Sequence, residues 1–246
     1  MIITIDNITC ECEPGEYLLD IAARNGVAIP TLCHHEGLRG LGCCRVCLVE
    51  VETAGRRNIV TACVYPVERE CAVYTNSEAI SLHRGMVLSM LRSQAPDSEA
   101  VAKLCSEYGA PEYDRFIRKT GEKCILCGLC VKACESLGTG AIWTMNRGVT
   151  KEVATPYGEP SLVCVGCASC ASTCPAGAIE VVETGGERTI WNKTFKLKAC
   201  GKCGKIMGTW FELGRAAVKA DADVPDLCDE CRKKAITDVM AATFGV

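Results

Sequence analysis

Apolar and polar residues alternate from the start of the chain, and residues 2 to 12, IITIDNITCEC, read as two short strands around the turn Asp6-Asn7. After Glu13-Pro14-Gly15 the period changes. Leu18, Leu19, Ile21 and Ala22 recur at helical spacing over Tyr17 to Arg24, and Asn25-Gly26 supplies a left-handed stop. Leu48 to Val51, Ile59 to Val64 and Ala72 to Thr75 are further strand-like runs. The pattern predicts a small mixed sheet over one helix, with a long cysteine-bearing loop from Cys33 to Cys47. Between 77 and 118, Ile80, Val87, Leu88, Met90 and Leu91 mark one helical face, Ala95-Pro96 breaks it, and a second helix is expected near Asp97 to Tyr108. Thr184-Gly185-Gly186-Glu187 reads as a short flexible joint before a last unit that closes on a helix.

Composition changes this picture at one residue type. The 246 residues include 21 cysteines, near the roughly 8–10% level at which cysteine organises a chain. A secreted disulfide scaffold is disfavoured by the odd count, the length and a start, MIITIDNITC, with neither basic region nor cleavage site. That start makes a cytoplasmic location the expectation. No run approaches the about 18 apolar residues that would span a bilayer, so no membrane contact is expected. With 27 basic against 30 acidic side chains, nothing draws a polyanion, and nucleic acid is not an expected partner. The cysteines fall in clumps, which suits several small metal-stapled modules.

The strongest signal is a repeat. CILCGLCVKACE is echoed forty residues later by CVGCASCASTCP, placing Cys124, Cys127, Cys130 and Cys134 in the spacing of Cys164, Cys167, Cys170 and Cys174-Pro175. Three thiolates two apart wrap a turn around one cluster, while the fourth, displaced by a helix start, reaches the other. The expected assignment crosses over: one [4Fe–4S] cluster on Cys124, Cys127, Cys130 and Cys174, the other on Cys164, Cys167, Cys170 and Cys134. Zinc or disulfides require no such doubled spacing. These residues resemble the bacterial two-cluster ferredoxins.

A second set is Cys33, Cys44, Cys47 and Cys63, four thiolates from one long loop and a later strand, which suit a [2Fe–2S] rhomb. Cys43 adjoins Cys44; Cys44 is chosen because it stands two residues from Cys47, a spacing that places two thiolates on one iron. His34 and His35 lack the arrangement of a Rieske centre and read as loop residues. From the strand hairpin through TLCHHEGLRGLGCCRVCLVEVE to TACVYPV, the segment resembles the [2Fe–2S] domain of the complex I large iron–sulfur subunit. Its relatives include subunits of NAD-reducing and electron-bifurcating hydrogenases and of formate dehydrogenases.

That resemblance implies a β-grasp fold for the [2Fe–2S] domain (1–76); with the helical connector (77–120), the two-[4Fe–4S] ferredoxin-like domain (121–184) and a C-terminal zinc-ribbon-like module (185–246) read from the residues, the chain is expected to be α+β in four parts. The resemblance also implies a non-catalytic, cytoplasmic electron-transfer subunit carrying single electrons between a flavin/NAD(H)-binding subunit, soluble ferredoxin and a catalytic subunit. An electron-bifurcating [NiFe] hydrogenase is the first expectation and an NAD-dependent formate dehydrogenase the second. A small thioredoxin-like [2Fe–2S] subunit is a further implied partner. Many relatives hold another cluster on one histidine and three cysteines in the connector, but residues 77 to 120 offer only His83 and Cys105, so that cluster is expected to be absent.

Cys200-x2-Cys203 and Cys228-x2-Cys231 form paired knuckles, and the gap of 24 residues stretches the usual zinc spacing of about 15–20. Zinc is the expected metal, with a further iron–sulfur cluster as the alternative. A non-enzymatic docking or sensor role for this tail and its clusters is the rival from another class. Cys10, Cys12, Cys43, Cys71 and Cys105 remain, and are expected to be small buried hydrophobes. No Gly-x-Gly-x-x-Gly follows a strand, so neither NAD nor flavin is expected on this chain. Trp143, Trp191 and Trp210 read as core or interface anchors.

Overall fold

A computed structural model describes residues 1–38, 40–113 and 121–244. The first hairpin pairs β1 (Ile2–Ile5) with β2 (Ile8–Glu11), and its turn residues Asp6 and Asn7 are both left-handed, at φ 46° and 69°. Such a two-residue turn matches the twist of the strands it joins, and Asp and Asn tolerate it better than most residues. The helix α1 (Leu18–Arg24) buries Leu18, Leu19, Ile21 and Ala22, the positions its period singles out.

Next come β3 (Leu48–Thr53), β4 (Arg56–Thr61) and β5 (Ala72–Tyr74), which complete a five-stranded sheet of order β2-β1-β5-β3-β4. Only β1 and β5 run parallel, with Ile5 opposite Val73. The strand expected over 59 to 64 stops at Thr61, where a 3-10 turn over Ala62–Val64 carries Cys63 inward. Ile3, Ile5, Val49, Val51 and Val73 meet α1 in one core, and Cys10 and Cys12 are buried within it.

The connector is two helices, α2 (Glu78–Gln94) and α3 (Glu99–Glu107). Each starts on a serine whose hydroxyl accepts from the third residue on: Ser77 from Ile80 N–H and Ser98 from Val101 N–H. Ile80 and Leu88 are buried on the expected face, whereas Met90 is exposed. The end of the connector, 114–120, lies outside the described residues.

In the repeat region α4 (Leu129–Ser136) and α5 (Ser169–Ser172) each begin inside a cysteine turn, and β6 (Trp143–Met145) pairs with β7 (Glu152–Ala154) between them. A four-stranded antiparallel sheet follows, built from β8 (Val182–Thr184), β9 (Glu187–Ile190), β10 (Lys193–Ala199) and β11 (Ile206–Thr209). The segment expected as a flexible joint is therefore a β-turn: Gly185 and Gly186, at φ 59° and 80°, link β8 to β9 within one sheet. Last come α6 (Trp210–Ala220), opened by a Thr209/Glu212 capping box, and α7 (Asp229–Phe244). Among the described residues no helix is long and apolar enough to cross a membrane.

Candidate iron–sulfur and metal centres

Cysteine turns need a backbone that curls around its sulfurs. In the first repeat Leu126 and Gly128 are left-handed, at φ 54° and 76°; in the second the equivalent Gly166 and Ala168 are, at 70° and 59°. Each three-cysteine turn thus has the same shape with glycine in a different place. At Gly166 glycine is also required by space, since a Cβ there would stand 2.6 Å from the buried ring of Phe195 on β10.

The structure gathers the eight repeat cysteines into two groups. Cys124, Cys127, Cys130 and Cys174 line one cavity, and Cys134, Cys164, Cys167 and Cys170 line another. Each cavity therefore draws three sulfurs from one half of the repeat and the fourth from the other. Backbone N–H groups point at sulfur: Leu126 at Cys124 Sγ (3.4 Å), Ala178 at Cys174 Sγ (3.3 Å) and Ala141 at Cys134 Sγ (3.1 Å). Burial pushes the bare thiols up, Cys127 to about 11, Cys130 to about 12 and Cys170 to about 11. Buried sulfurs that resist deprotonation alone, yet receive N–H donors, suit a cationic iron centre that supplies the missing positive charge.

Cys33, Cys44, Cys47 and Cys63 are all buried and gathered at one place. Thiol contacts join Cys33 to Cys44 and to Cys63, and Cys47 to Cys63, and Cys44 N–H donates to Cys33 Sγ at 3.3 Å. Two of these contacts reach from the loop to the 3-10 turn that carries Cys63, and the third, Cys33 to Cys44, lies within the loop. Cys33 is pulled down by the Cys44 and Cys63 thiols, and Cys47 to about 7 by the Cys63 thiol. Cys43 faces outward, so its expected burial is corrected. Adjacent residues of an extended loop point to opposite sides, and Cys44 takes the inner one. Cys10 and Cys12 are buried as expected; Cys71 and Cys105 are half-buried. His35 Nδ1 accepts from Gly37 N–H at 3.1 Å.

Two positioning residues escaped the sequence reading. Arg84, 1% exposed, projects from α2 and donates to the carbonyl oxygens of Val46, Leu48 and Thr75, at 3.2, 2.8 and 2.9 Å. Its place four residues from both Ile80 and Leu88, on an otherwise apolar face, was the available signal. Leu41 reaches from the Cys33 loop to Gly128, where a Cβ would stand 3.1 Å from Leu41 Cδ1. Cys33, Cys44, Cys127 and Cys174 accordingly belong to one packed cluster that also holds Leu32, Val46, Leu88 and Leu129.

In the tail, Cys200, Cys203, Cys228 and Cys231 bring their four sulfurs within 4.8 Å of one another. The stretched gap between the knuckles is occupied by β11 and α6. Cys200 is drawn down to about 6 by the N–H groups of Cys228 and Cys203, while Cys231 is raised to about 12, first by its hydrogen bond with Cys203. The tail is docked on the repeat through α6, where Arg215 and Lys219 donate to the carbonyl oxygens of Gly138 and Leu137 at 2.6 and 3.4 Å. Trp143 and Trp210 are about half exposed, whereas Trp191 sits at the repeat cavities.

Residues 1–78 match the family of 2Fe-2S iron-sulfur cluster binding domains, and residues 123–178 match that of 4Fe-4S dicluster domains. The chain is 35% identical over 210 residues to the NADP-reducing hydrogenase subunit HndD of Solidesulfovibrio fructosivorans, covering 72% of this chain and 35% of that protein. It is 29% identical over 175 residues to the NADH-ubiquinone oxidoreductase 75 kDa subunit of Reclinomonas americana, covering 61% of this chain and 25% of that protein. The chain thus spans about a third and a quarter of these relatives. Among solved structures it resembles a chain of an NAD+-reducing [NiFe]-hydrogenase in the H2-reduced state, with TM-score 0.61 and 27% identity over 72% of this chain and 85% of that one. Two matched cluster-binding domains and these relatives make the protein an iron–sulfur electron-transfer chain related to the subunits of NAD(P)-linked hydrogenases and of NADH-ubiquinone oxidoreductase.

Proposed function

We propose that the chain is a non-catalytic electron-transfer subunit of a cytoplasmic, multi-subunit NAD(P)-linked hydrogenase of the bifurcating [NiFe] kind. Cys33, Cys44, Cys47 and Cys63 hold a [2Fe–2S] cluster; Cys124, Cys127, Cys130 and Cys174 hold one [4Fe–4S] cluster, and Cys134, Cys164, Cys167 and Cys170 the other. The observation that carries this reading is the crossed lining of the two cavities, which a disulfide or zinc protein has no use for. Bound there, the clusters supply reversible one-electron chemistry. The chain's residues exclude water from the sulfurs, direct N–H groups at them and, through Leu41 and Gly128, seat the [2Fe–2S] loop against the first cysteine turn.

Residues 1–76 form a β-grasp domain, 77–120 its connector, 121–184 the two-cluster domain and 185–246 a zinc-ribbon-like module. Four sulfurs at about 2.3 Å from a tetrahedral zinc lie about 3.8 Å apart. The 3.7 Å between Cys203 and Cys228 Sγ, and the 4.8 Å limit on all four, fit such a single ion. The partners of this reading are a flavin/NAD(H)-binding subunit, a small [2Fe–2S] subunit, the hydrogenase catalytic subunits and soluble ferredoxin.

Anaerobic reconstitution of the full chain, followed by metal analysis and EPR of the reduced protein, tests the reading. About ten irons and one zinc per chain, with one [2Fe–2S] and two [4Fe–4S] signals, are expected. A chain with no reducible iron–sulfur signal would overturn it. Nickel in the anaerobically isolated native complex would support the hydrogenase assignment, and molybdenum or tungsten without nickel would defeat it.

A further inference from the structure

The β9–β10 hairpin lies beyond the residues matched by the dicluster family, yet its tip is built into the repeat. Trp191 lines both sulfur cavities, and its indole Nε1–H donates to Cys170 Sγ at 3.4 Å. Its backbone is left-handed, at φ 52°, a conformation that bulky residues rarely adopt and that persists where surrounding contacts impose it. Two residues on, Lys193 Nζ donates to the carbonyl oxygens of Ser161, Leu162 and Cys164 at 2.9, 3.3 and 3.0 Å. The rings of Phe195 and Phe211 stand 5.0 and 5.6 Å from the same ammonium. A cation is thereby fixed over the segment that enters Cys164.

The same site has a further donor on Cys134 Sγ, the Ala141 N–H at 3.1 Å, and the Thr139 hydroxyl, which donates to the Cys134 carbonyl oxygen at 2.8 Å, stands 3.1 Å from the same sulfur. At the twin site the described sulfur hydrogen bonds come from the backbone N–H groups of Leu126 and Ala178. Among the described contacts there is a carboxylate: Glu122 Oε1 accepts from Cys124 N–H at 2.8 Å. The two halves of the repeat share a backbone shape and differ in the electrostatics around their sulfurs.

We propose that Trp191 and Lys193 hold the site of Cys134, Cys164, Cys167 and Cys170 at a more positive reduction potential than its twin, which gives the repeat a direction. The inference rests on the ligand assignment above. Reduction adds one electron to a site, with no proton and no bond made or broken. N–H donors and a fixed cation stabilise the extra negative charge, while a neighbouring carboxylate opposes it.

Anaerobic redox titration of the full reconstituted chain, followed by EPR, tests the proposal with Trp191→Phe, Lys193→Met and Lys193→Arg. Trp191→Phe keeps the ring and removes the donor. Lys193→Met removes the charge and keeps an unbranched side chain, and the described contacts of Lys193 are to carbonyl oxygens and rings rather than to sulfur. Each is expected to shift one of the two [4Fe–4S] signals to more negative potential and leave the other unmoved, while Lys193→Arg stays near the unsubstituted chain. Two [4Fe–4S] signals that titrate at unchanged potentials in both variants would overturn the proposal and leave the ligand assignment standing. An unsubstituted chain without two [4Fe–4S] signals would overturn both.

Discussion

Arg84 Nε donates to the carbonyl oxygen of Val46 at 3.2 Å, tying the connector helix to the loop between Cys44 and Cys47. The guanidinium also satisfies the carbonyls of Leu48 and Thr75 and the side chain of Asn76, and it stacks on Tyr108. Burial lowers its basicity, yet an arginine remains charged at any pH the protein meets. One side chain thus joins the sheet, the cysteine loop and the connector.

Arg84→Met is expected to leave those carbonyls unsatisfied, destabilising the N-terminal part by about 3 kcal/mol and loosening the [2Fe–2S] site. Arg84→Lys should rescue little, because one ammonium cannot reproduce a rigid fork of donors. Thermal unfolding together with the [2Fe–2S] visible spectrum checks both; unchanged melting of Arg84→Met would contradict the role.

Cys43 and Cys44 are adjacent, one exposed and one buried against Cys33 Sγ. Cys43→Ser should retain the [2Fe–2S] spectrum and Cys44→Ser should lose or alter it. Loss in Cys43→Ser with retention in Cys44→Ser would reverse the assignment.

Crossed cavities make a pairwise prediction. Cys134→Ser with Cys164→Ser removes two ligands from one site and should spare one [4Fe–4S] signal; Cys174→Ser with Cys164→Ser takes one from each and should damage both. Iron content and EPR of the two double variants distinguish crossed from uncrossed ligation.

The tail sulfurs line neither repeat cavity, so Cys203→Ser with Cys231→Ser should release zinc, lower the melting temperature and leave iron content unchanged. Loss of iron together with zinc would indicate a cluster at the tail.

Glu16 is held at about 2, first by the Arg24 guanidinium and then by the Glu13 N–H, against an ordinary value near 4.5. A carboxylate depressed on folding stabilises the folded state above its ordinary value and loses that contribution as the pH falls towards 2. Glu16→Gln should therefore melt below the unsubstituted chain at neutral pH, and the gap should close between pH 4.5 and 2. A pH-independent gap would show that charge is not its cause.

Much of this organisation is local and so was readable along the chain. Leu18, Leu19, Ile21 and Ala22 announce α1 because a helix repeats every few residues, and the Cys-x2-Cys turns announce themselves because three sulfurs must curl within one turn. The expectation failed where a local signal has two readings. Gly185-Gly186 suits a flexible joint as well as a tight hairpin, and pairing of β8 with β9 decides for the hairpin.

Sequence by itself determined which cysteines form sets, since ligand spacing is a property of a few neighbouring residues. Tertiary structure decided which neighbour of Cys43-Cys44 faces inward, because that depends on how the loop meets the 3-10 turn carrying Cys63. It also decided that Arg84 clamps Val46, 38 residues away, and that Trp191 reaches Cys170, 21 residues away. Such contacts carry no spacing rule. They exist because separate elements bury their faces together, and a single polar side chain then finds the sulfur or carbonyl left at the seam.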